Sequence, residues 1–319
     1  MATANPPRDK ENREKSEDTF ELELGRVREK IQSTFGEVNK LGDFVDKVRG
    51  IDYTNKKQPL VSVCKKGSGN EELFYPLGVK IDNQTGNIYV ADQWNHCVKV
   101  FDSTAKYLFK FGDSNGNGQM YYPMCLAICR NRVFISQNHC IMNYQLDGKF
   151  ISRVGVPGDR ELEFSYPWGI TIDESNGDVY ICDNGNNRIQ ILSESLRFKS
   201  QFGKDILTEP VDIKLNRDNI FILNRSNPCL HIFNKDLVLQ KNIISRRKRK
   251  QVEYPWFFFL DNSGNIPISD HDSNSIHIFN CEYECIHKIS IPKPMGITVD
   301  DKDRIIVMSQ TSEYCLQIF

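Results

Sequence analysis

A proline recurs along the chain in a nearly constant context, and its spacing constrains the fold more than any other feature. The six prolines follow one another at intervals of 47, 44, 43, 45 and 39 residues, and each precedes a short apolar run. The segments are YPLGVKID, YPMCLAIC, YPWGITID, EPVDIKLN, YPWFFFLD and KPMGITVD, with Pro76, Pro123, Pro167, Pro210, Pro255 and Pro294. A period of about 40 to 45 residues that contains only β-type runs is typical of a propeller or a solenoid.

Each repeat contains four β-type runs. In YPWGITIDESNGDVYICDNGNNRIQIL, an inner strand follows the proline, a turn leads to a second strand, and a third strand ends on leucine. An outer run such as RFKSQFG comes before the next proline. Six such units over residues 58–319 predict an all-β, six-bladed β-propeller.

The two ends of the repeat region predict how the ring closes. The region starts with an outer-type run and stops on a third-strand run at Phe319. We therefore expect residues 60–66, near Val61, to supply the missing outer strand of the last blade, which pairs edges that would otherwise be exposed.

The segment before the repeats has a different pattern. We expect residues 1–19 to be a disordered polar tail and residues 51–57 to be a linker. In residues 20–50, a heptad pattern has apolar side chains at seven of eight seam positions. The a positions are Leu24, Ile31, Val38 and Val45, of which the last three are β-branched, and the d positions are Val27, Thr34, Leu41 and Val48. This pattern predicts an α-helix that dimerises as a coiled coil, and the alternative is a lone amphipathic helix docked on the propeller.

Composition places the chain among intracellular proteins. The N-terminus lacks the apolar run of a signal peptide, and no apolar stretch approaches the roughly 20 residues of a membrane span. The net charge of −1 does not by itself indicate nucleic acid. We expect a cytoplasmic protein with reduced cysteines, no membrane association and no cofactor.

The repeat resembles the NHL repeat, most clearly in ADQWNHCVKVF (91–101) and CDNGNNRIQIL (182–192). The resemblance implies six repeats in one propeller that recognises a partner. The order of coil and propeller is similar to that of the tripartite-motif NHL proteins, in which a RING and a B-box come first. Residues 1–19 contain no cysteine or histidine, so we expect no RING in this chain, and ubiquitin-ligase activity would come from a partner or a longer homologue.

One face of the predicted ring should carry the function. The loops from outer to inner strands and from second to third strands emerge together, and loops on a rigid scaffold carry binding residues. We expect partner contacts there from Trp94, His96, Tyr121, Tyr122, His139, Asn187, Arg188, Arg225, Tyr254 and Trp256. Some NHL proteins bind single-stranded or hairpin RNA on this face. At the third-strand position where the family pattern has arginine, this chain keeps only Arg188, which weakens the RNA interpretation.

A basic run lies in one of these loops: Arg246, Arg247, Lys248, Arg249 and Lys250. It can engage RNA phosphates, with Tyr254 and Trp256 stacking on unpaired bases, or it can attract an acidic protein. It can also be a solvated loop or an import-type signal.

The sequence favours recognition over catalysis. Asp92, Asp183 and Asp270 recur at the ends of second strands, where a carboxylate can bind a metal or cap a turn; we expect capping. Six-bladed propellers also include lactonases and a metal-dependent amidating lyase, but inner-strand positions here offer only Asp212 near the axis. We predict no catalytic and no metal-binding residues.

Overall fold

The computed structural model describes residues 51–243 and 252–319, and within them the chain repeats a four-stranded meander. Three short strands come first: β1 (Val61–Val63), β2 (Lys65–Lys66) and β3 (Glu72–Leu73). Blade 1 contains β4 (Pro76–Ile81), β5 (Ile88–Asp92), β6 (Cys97–Phe101) and β7 (Tyr107–Phe111). Blade 2 contains β8 (Pro123–Cys129), β9 (Arg132–Gln137), β10 (Cys140–Gln145) and β11 (Phe150–Val154).

A short parallel pair, β12 (Val156–Pro157) and β13 (Glu163–Phe164), precedes blade 3. Blade 3 contains β14 (Pro167–Asp173), β15 (Asp178–Asp183), β16 (Arg188–Leu192) and β17 (Phe198–Phe202). Blade 4 contains β18 (Pro210–Leu215), β19 (Asn219–Asn224), β20 (Cys229–Asn234) and β21 (Leu239–Ile243). Blade 5 contains β22 (Pro255–Phe258), β23 (Ile266–Asp270), β24 (Ser275–Phe279) and β25 (Cys285–Ser290). Blade 6 contains β26 (Pro294–Val299), β27 (Ile305–Ser309), β28 (Leu316–Ile318) and β1.

The blades close into a ring, as predicted. The inner strands β4, β8, β14, β18, β22 and β26 each contact the inner strands of both neighbouring blades. β1 pairs with β28 in antiparallel register, with Ser62 opposite Gln317. The Leu60 amide also donates to the Ile318 carbonyl at 2.6 Å. The six-bladed fold and its closing strand are therefore confirmed.

Small residues allow the blades to approach the axis closely. Gly78, Gly169 and Gly296 stand two residues after the proline of their repeats. A Cβ on Gly169 would lie 2.5 Å from the Cα of Asp212, and one on Gly296 would overlap the Leu77 carbonyl oxygen. Because the clash in each case is with backbone of the next blade, a larger side chain would push two inner strands apart.

Away from the axis, burial falls from the middle strands to the outer ones. Second and third strands such as β5 and β6 are buried on both faces, whereas the outer strand β17 alternates between half-buried and exposed residues. This gradient explains why the middle strands are almost uniformly apolar and the outer runs alternate.

The segment expected to be a linker packs against the propeller. Its single-turn helix, Tyr53–Asn55, buries Tyr53, whose hydroxyl donates to Asp261 Oδ2 at 2.9 Å. The Lys56 ammonium donates to the carbonyls of Asp303 and Phe319. The polar tail (1–19) and the heptad segment (20–50) lie outside the described residues.

Candidate partner-binding face

The two sets of loops meet on one side of the ring, called the loop face below. It consists of the outer-to-inner loops and the second-to-third loops. In blade 1 the Trp94 amide donates to the Phe74 carbonyl at 3.1 Å, and in blade 3 the Gly185 amide donates to the Ser165 carbonyl at 2.8 Å. Blades 4, 5 and 6 have equivalent bonds, from Arg225, His271 and Gln310. The two loops therefore support one another in these five blades.

Large aromatic side chains are exposed on the loop face of blades 1 to 3. Their exposed fractions range from 40% to 52%: Tyr75, Trp94, Tyr121, Tyr122 and Tyr166. The Trp94 ring lies 5.8 Å from Tyr75, the His96 ring meets Tyr122 edge-on at 4.5 Å, and His139 lies 4.8 Å from Tyr166. These contacts hold the rings in fixed positions while leaving them accessible.

An unusual backbone conformation directs several of these side chains outward. The residue before the proline has a positive φ in five repeats: Tyr75, Tyr122, Tyr166, Glu209 and Lys293. A residue before proline ordinarily adopts an extended conformation, and a bulky residue at positive φ is an outlier. The surrounding contacts must therefore hold it in place.

The residue just before the third strand supplies one such contact. Nδ1 of His96 accepts from the Tyr122 amide at 3.1 Å, and Oδ1 of Asn187 accepts from the Glu209 amide at 2.8 Å. Oδ1 of Asn274 accepts from the Lys293 amide at 3.0 Å. Each bond joins one blade to the next. His96 and Asn187, predicted as partner contacts, thus hold neighbouring blades together, and the exposed tyrosines beside them form the accessible surface.

Blades 3 to 5 form a second cluster around Arg225. Its guanidinium carbon lies 5.1 Å from the ring centroid of Trp168, 5.2 Å from that of Trp256 and 5.5 Å from that of Tyr254. The side chain is half-buried, and Nη2 lies 3.3 Å from Glu209 Oε2. Hydrogen bonds from Ser226 and Arg225 hold the pKa of the Glu209 carboxyl below its usual value. The cluster is a rigid aromatic floor with one fixed cation.

The structure buries Arg188 instead of exposing it. Nε donates to Asp183 Oδ2 at 2.7 Å, and the remaining nitrogens donate to Gln201 and to the carbonyls of Asp159, Arg160 and Glu163. The side chain is only 4% exposed, so it is not available to a partner. Lys99 has the same role in blade 1, where its ammonium lies 3.0 Å from Asp92 and donates to carbonyls of the loop that carries β2 and β3.

The recurring aspartates cap loops, although not the turns that follow them. Asp92 Oδ1 accepts from the Phe74 amide at 2.7 Å, Asp183 Oδ1 accepts from the Ser165 amide at 2.8 Å, and Asp270 accepts from the Glu253 and Tyr254 amides. Neither Asp92 nor Asp183 caps the 3-10 helix after it. The carboxylates therefore cap the loop in front of the inner strand, and not the following turn as expected.

Asp212, the carboxylate that the sequence places near the axis, is already paired. Its Oδ1 lies 2.5 Å from the Lys214 ammonium, and its Oδ2 accepts from the Phe258 amide at 3.0 Å. Within residues 51–243 and 252–319, no three His, Cys, Asp or Glu side chains are grouped as a metal site would need. The ten cysteines are free, and burial raises the pKa of Cys97 to about 12.

The basic run at 246–250 lies outside the described residues. Sequence reasoning did not select Tyr75, Tyr166, Trp168 or Glu209 as candidate contacts on the loop face. Tyr75, Tyr166 and Glu209 occupy the position before the proline that Tyr122 and Tyr254 also occupy, so the repeat alignment contained the signal.

The fold is a six-bladed propeller whose loop face exposes large aromatic side chains. Residues 75–101 and 164–192 match the NHL repeat. The chain is therefore a six-bladed propeller that contains NHL repeats in blades 1 and 3.

The curated proteins that show similarity include the following two. Protein brain tumor of Drosophila melanogaster is 27% identical over 157 residues, covering 46% of this chain and 14% of that protein. A probable peptidyl-alpha-hydroxyglycine alpha-amidating lyase of Caenorhabditis elegans, pgal-1, is 28% identical over 159 residues, covering 44% of each. The chain thus matches less than half of either relative.

Among solved structures, a streptogramin B lyase has the same fold. Its TM-score is 0.59 at 14% identity, over 86% of this chain and 88% of that one. At this identity the likeness concerns the fold alone. In the described part of the chain, no helix is long and apolar enough to cross a membrane.

Proposed function

We propose that this propeller is a recognition module that binds a protein or RNA partner on its loop face and catalyses no reaction itself. The observation that carries the proposal is the set of five exposed tyrosine and tryptophan side chains on adjacent blades. Such residues are enriched at interfaces because a large rigid ring loses little entropy on binding.

A protein partner is favoured by the charge of the described face. Its one clustered arginine, Arg225, is already paired with Glu209 and stacked on three rings. The face also exposes the rings of Tyr75, Trp94, Tyr121, Tyr122 and Tyr166. Contacts of this kind depend on apolar burial and hydrogen bonds, and therefore vary little with salt.

RNA is the second candidate, supported by the basic run at 246–250 and by rings on which bases can stack. In the sequence, the run follows β21 and precedes β22, a few residues before Tyr254. Binding through five cations would fall steeply as salt is raised. Replacing Arg246 to Lys250 with alanine would then flatten the salt dependence.

An enzyme remains the alternative of another class, because one relative and one structural neighbour bear the names of lyases. The pairing of Asp212 with Lys214 argues against a free catalytic carboxylate at the axis. A divalent ion retained at one equivalent after dialysis, measured by mass spectrometry, would favour the enzyme.

Proposals about oligomeric state, location and assembly rest on the sequence alone. We propose dimerisation through residues 20–50, a cytoplasmic location, and a role as the target-selecting partner of a ubiquitin-ligase assembly of the tripartite-motif type. Analytical ultracentrifugation of the full chain, beside a chain with Leu24, Ile31 and Val38 replaced by aspartate, tests dimerisation.

The experiment for the function is a crosslinked pull-down from cells with and without RNase. A partner retained after RNase is a protein, and one lost is bridged by RNA. Its affinity is then measured for Trp94→Ala and for the control Val238→Ala. Val238 is 55% exposed in the turn between β20 and β21, on the opposite side of the ring. We expect about a 30-fold loss for Trp94→Ala, the size typical of a central aromatic contact, and none for Val238→Ala. Equal affinities of both variants would contradict the proposal.

A further inference from the structure

A cavity lies on the axis at the end of the ring away from the loop face. Its volume is about 180 Å³, and it is lined from β4, β8, β14 and β26. Because blades 3 and 6 are opposite one another in a ring of six, residues from both can share a cavity only on the axis. Asn83 and Glu174, in the turns that follow β4 and β14, lie at its rim.

Repeat-equivalent residues form the wall of this cavity. The residue four positions after the proline is Lys80 in blade 1, Ala127 in blade 2, Thr171 in blade 3 and Thr298 in blade 6, and all four line it. In blade 4 the equivalent residue is Lys214. The cavity thus has one ammonium and two hydroxyls from the same level of different inner strands.

The two lysines at this level differ in their pairing. Lys214 lies 2.5 Å from Asp212 Oδ1, and both side chains are nearly buried. Among the described residues, the Lys80 ammonium makes no hydrogen bond and no ion pair, and the half-buried side chain lines the cavity. Asp212 already serves Lys214 and two backbone amides, so it does not neutralise a second ammonium.

Burial and nearby charges both change the pKa of Lys80. Burial, followed by repulsion from Lys214, lowers the pKa of Lys80 to about 8, while Cys125, Asp212 and Glu174 act in the opposite direction. At pH 7 an amine with this pKa is still mostly protonated. A mostly protonated, half-buried ammonium at a polar cavity favours the binding of an anion.

We propose that this axial cavity is a binding site for a small monovalent anion, held by the Lys80 ammonium with the Thr171 and Thr298 hydroxyls as further donors. The volume admits chloride or a small carboxylate such as acetate, together with water. The site does not depend on the loop face or on the partner that binds there.

Calorimetric and thermal titrations with sodium chloride and sodium acetate test the site. The protein is kept in low-salt HEPES, and wild type is compared with Lys80→Met, Thr171→Val and the control Lys65→Met, whose lysine is exposed. We expect saturable binding for wild type and Lys65→Met. Lys80→Met should weaken binding at least about tenfold, because a hydrogen bond to a charged group is lost. Thr171→Val should weaken it less. Equal binding by Lys80→Met and wild type would overturn the proposal.

A measurement on the unmutated chain decides the matter if Lys80→Met does not fold. The lysine amines are labelled with ¹³C-methyl groups and followed by NMR against pH, with and without acetate or chloride. Anion binding to the ammonium must raise the pKa of Lys80, because the two events are linked. A Lys80 titration that neither anion changes would refute the site.

Discussion

Replacement of Arg188 tests whether the arginine at the start of the third strand of blade 3 stabilises the fold. Its guanidinium donates five hydrogen bonds, and its partners include the buried carboxylate of Asp183 and three carbonyls of the loop that carries β12 and β13. Arg188→Ala leaves Asp183 as a buried charge with only polar neighbours. Breaking a buried ion pair from one side costs about 3 to 5 kcal/mol, and we expect a loss of that size.

The assay is urea unfolding at 25 °C, followed by circular dichroism and by tryptophan fluorescence. Arg217→Ala is the control, because Arg217 is exposed in the turn between β18 and β19 and should change the free energy of unfolding by less than about 0.5 kcal/mol. Arg188→Lys should fall between the two, since lysine keeps the charge but not the planar fork. A loss below about 1 kcal/mol for Arg188→Ala would refute this reasoning. An unchanged free energy of unfolding together with weaker partner binding by Arg188→Ala would also refute it.

Three further predictions concern the ring and its pH dependence. Leu60→Pro removes the amide that donates to the Ile318 carbonyl and should lower the free energy of unfolding by about 1 to 3 kcal/mol. Leu60→Ala should be nearly neutral, because the side chain is 71% exposed. Equal effects of the two variants in urea titrations would argue against closure by β1. Gly169→Ala places a Cβ 2.5 Å from the Cα of Asp212 and should cost about 1 to 3 kcal/mol; a neutral result in the same titration would contradict the close contact of blades 3 and 4. Burial lowers the pKa of His277 to about 4, against about 6.5 in an unfolded chain, so the unfolded chain binds more protons between these values. The stability that His277 supports above pH 6.5 should therefore be lost as the pH falls toward 4. When unfolding is measured at several pH values, His277→Gln should reduce the dependence of the free energy of unfolding on pH in this range. An unchanged dependence would exclude the buried neutral histidine.

The repeat spacing was sufficient to predict the architecture, for a physical reason. Each unit exposes strand edges and apolar faces that only a neighbouring unit can cover. The repeat region begins with an outer run at Val61 and ends with a third-strand run at Phe319. Both strands have an unpaired edge unless β1 pairs with the last strand, so the sequence predicts closure by β1. Local pattern and global topology agree here, so the sequence was informative.

The details of the loop face depend on contacts between blades, which linear spacing does not reveal. The Arg225 cluster joins Trp168, Trp256 and Tyr254 across three blades, and nothing in the separation of these residues along the chain specifies a distance of about 5 Å. Arg188 looked accessible because it follows a loop of the binding face. It is buried because the short pair β12 and β13 covers it, as β2 and β3 cover Lys99 in blade 1; these pairs lie between the strands of the repeat pattern and were not predicted.

Photo-crosslinking most directly tests the claim that the loop face of this ring is the partner-binding surface. The photoreactive amino acid p-benzoylphenylalanine is placed at position 94 or 166 on the loop face, and at position 238 on the opposite side, and the crosslinked species are identified by mass spectrometry. We predict that the partner retained in the pull-down crosslinks from positions 94 and 166 and not from position 238. Crosslinking from position 238 alone, or with equal yield from both sides, would contradict it.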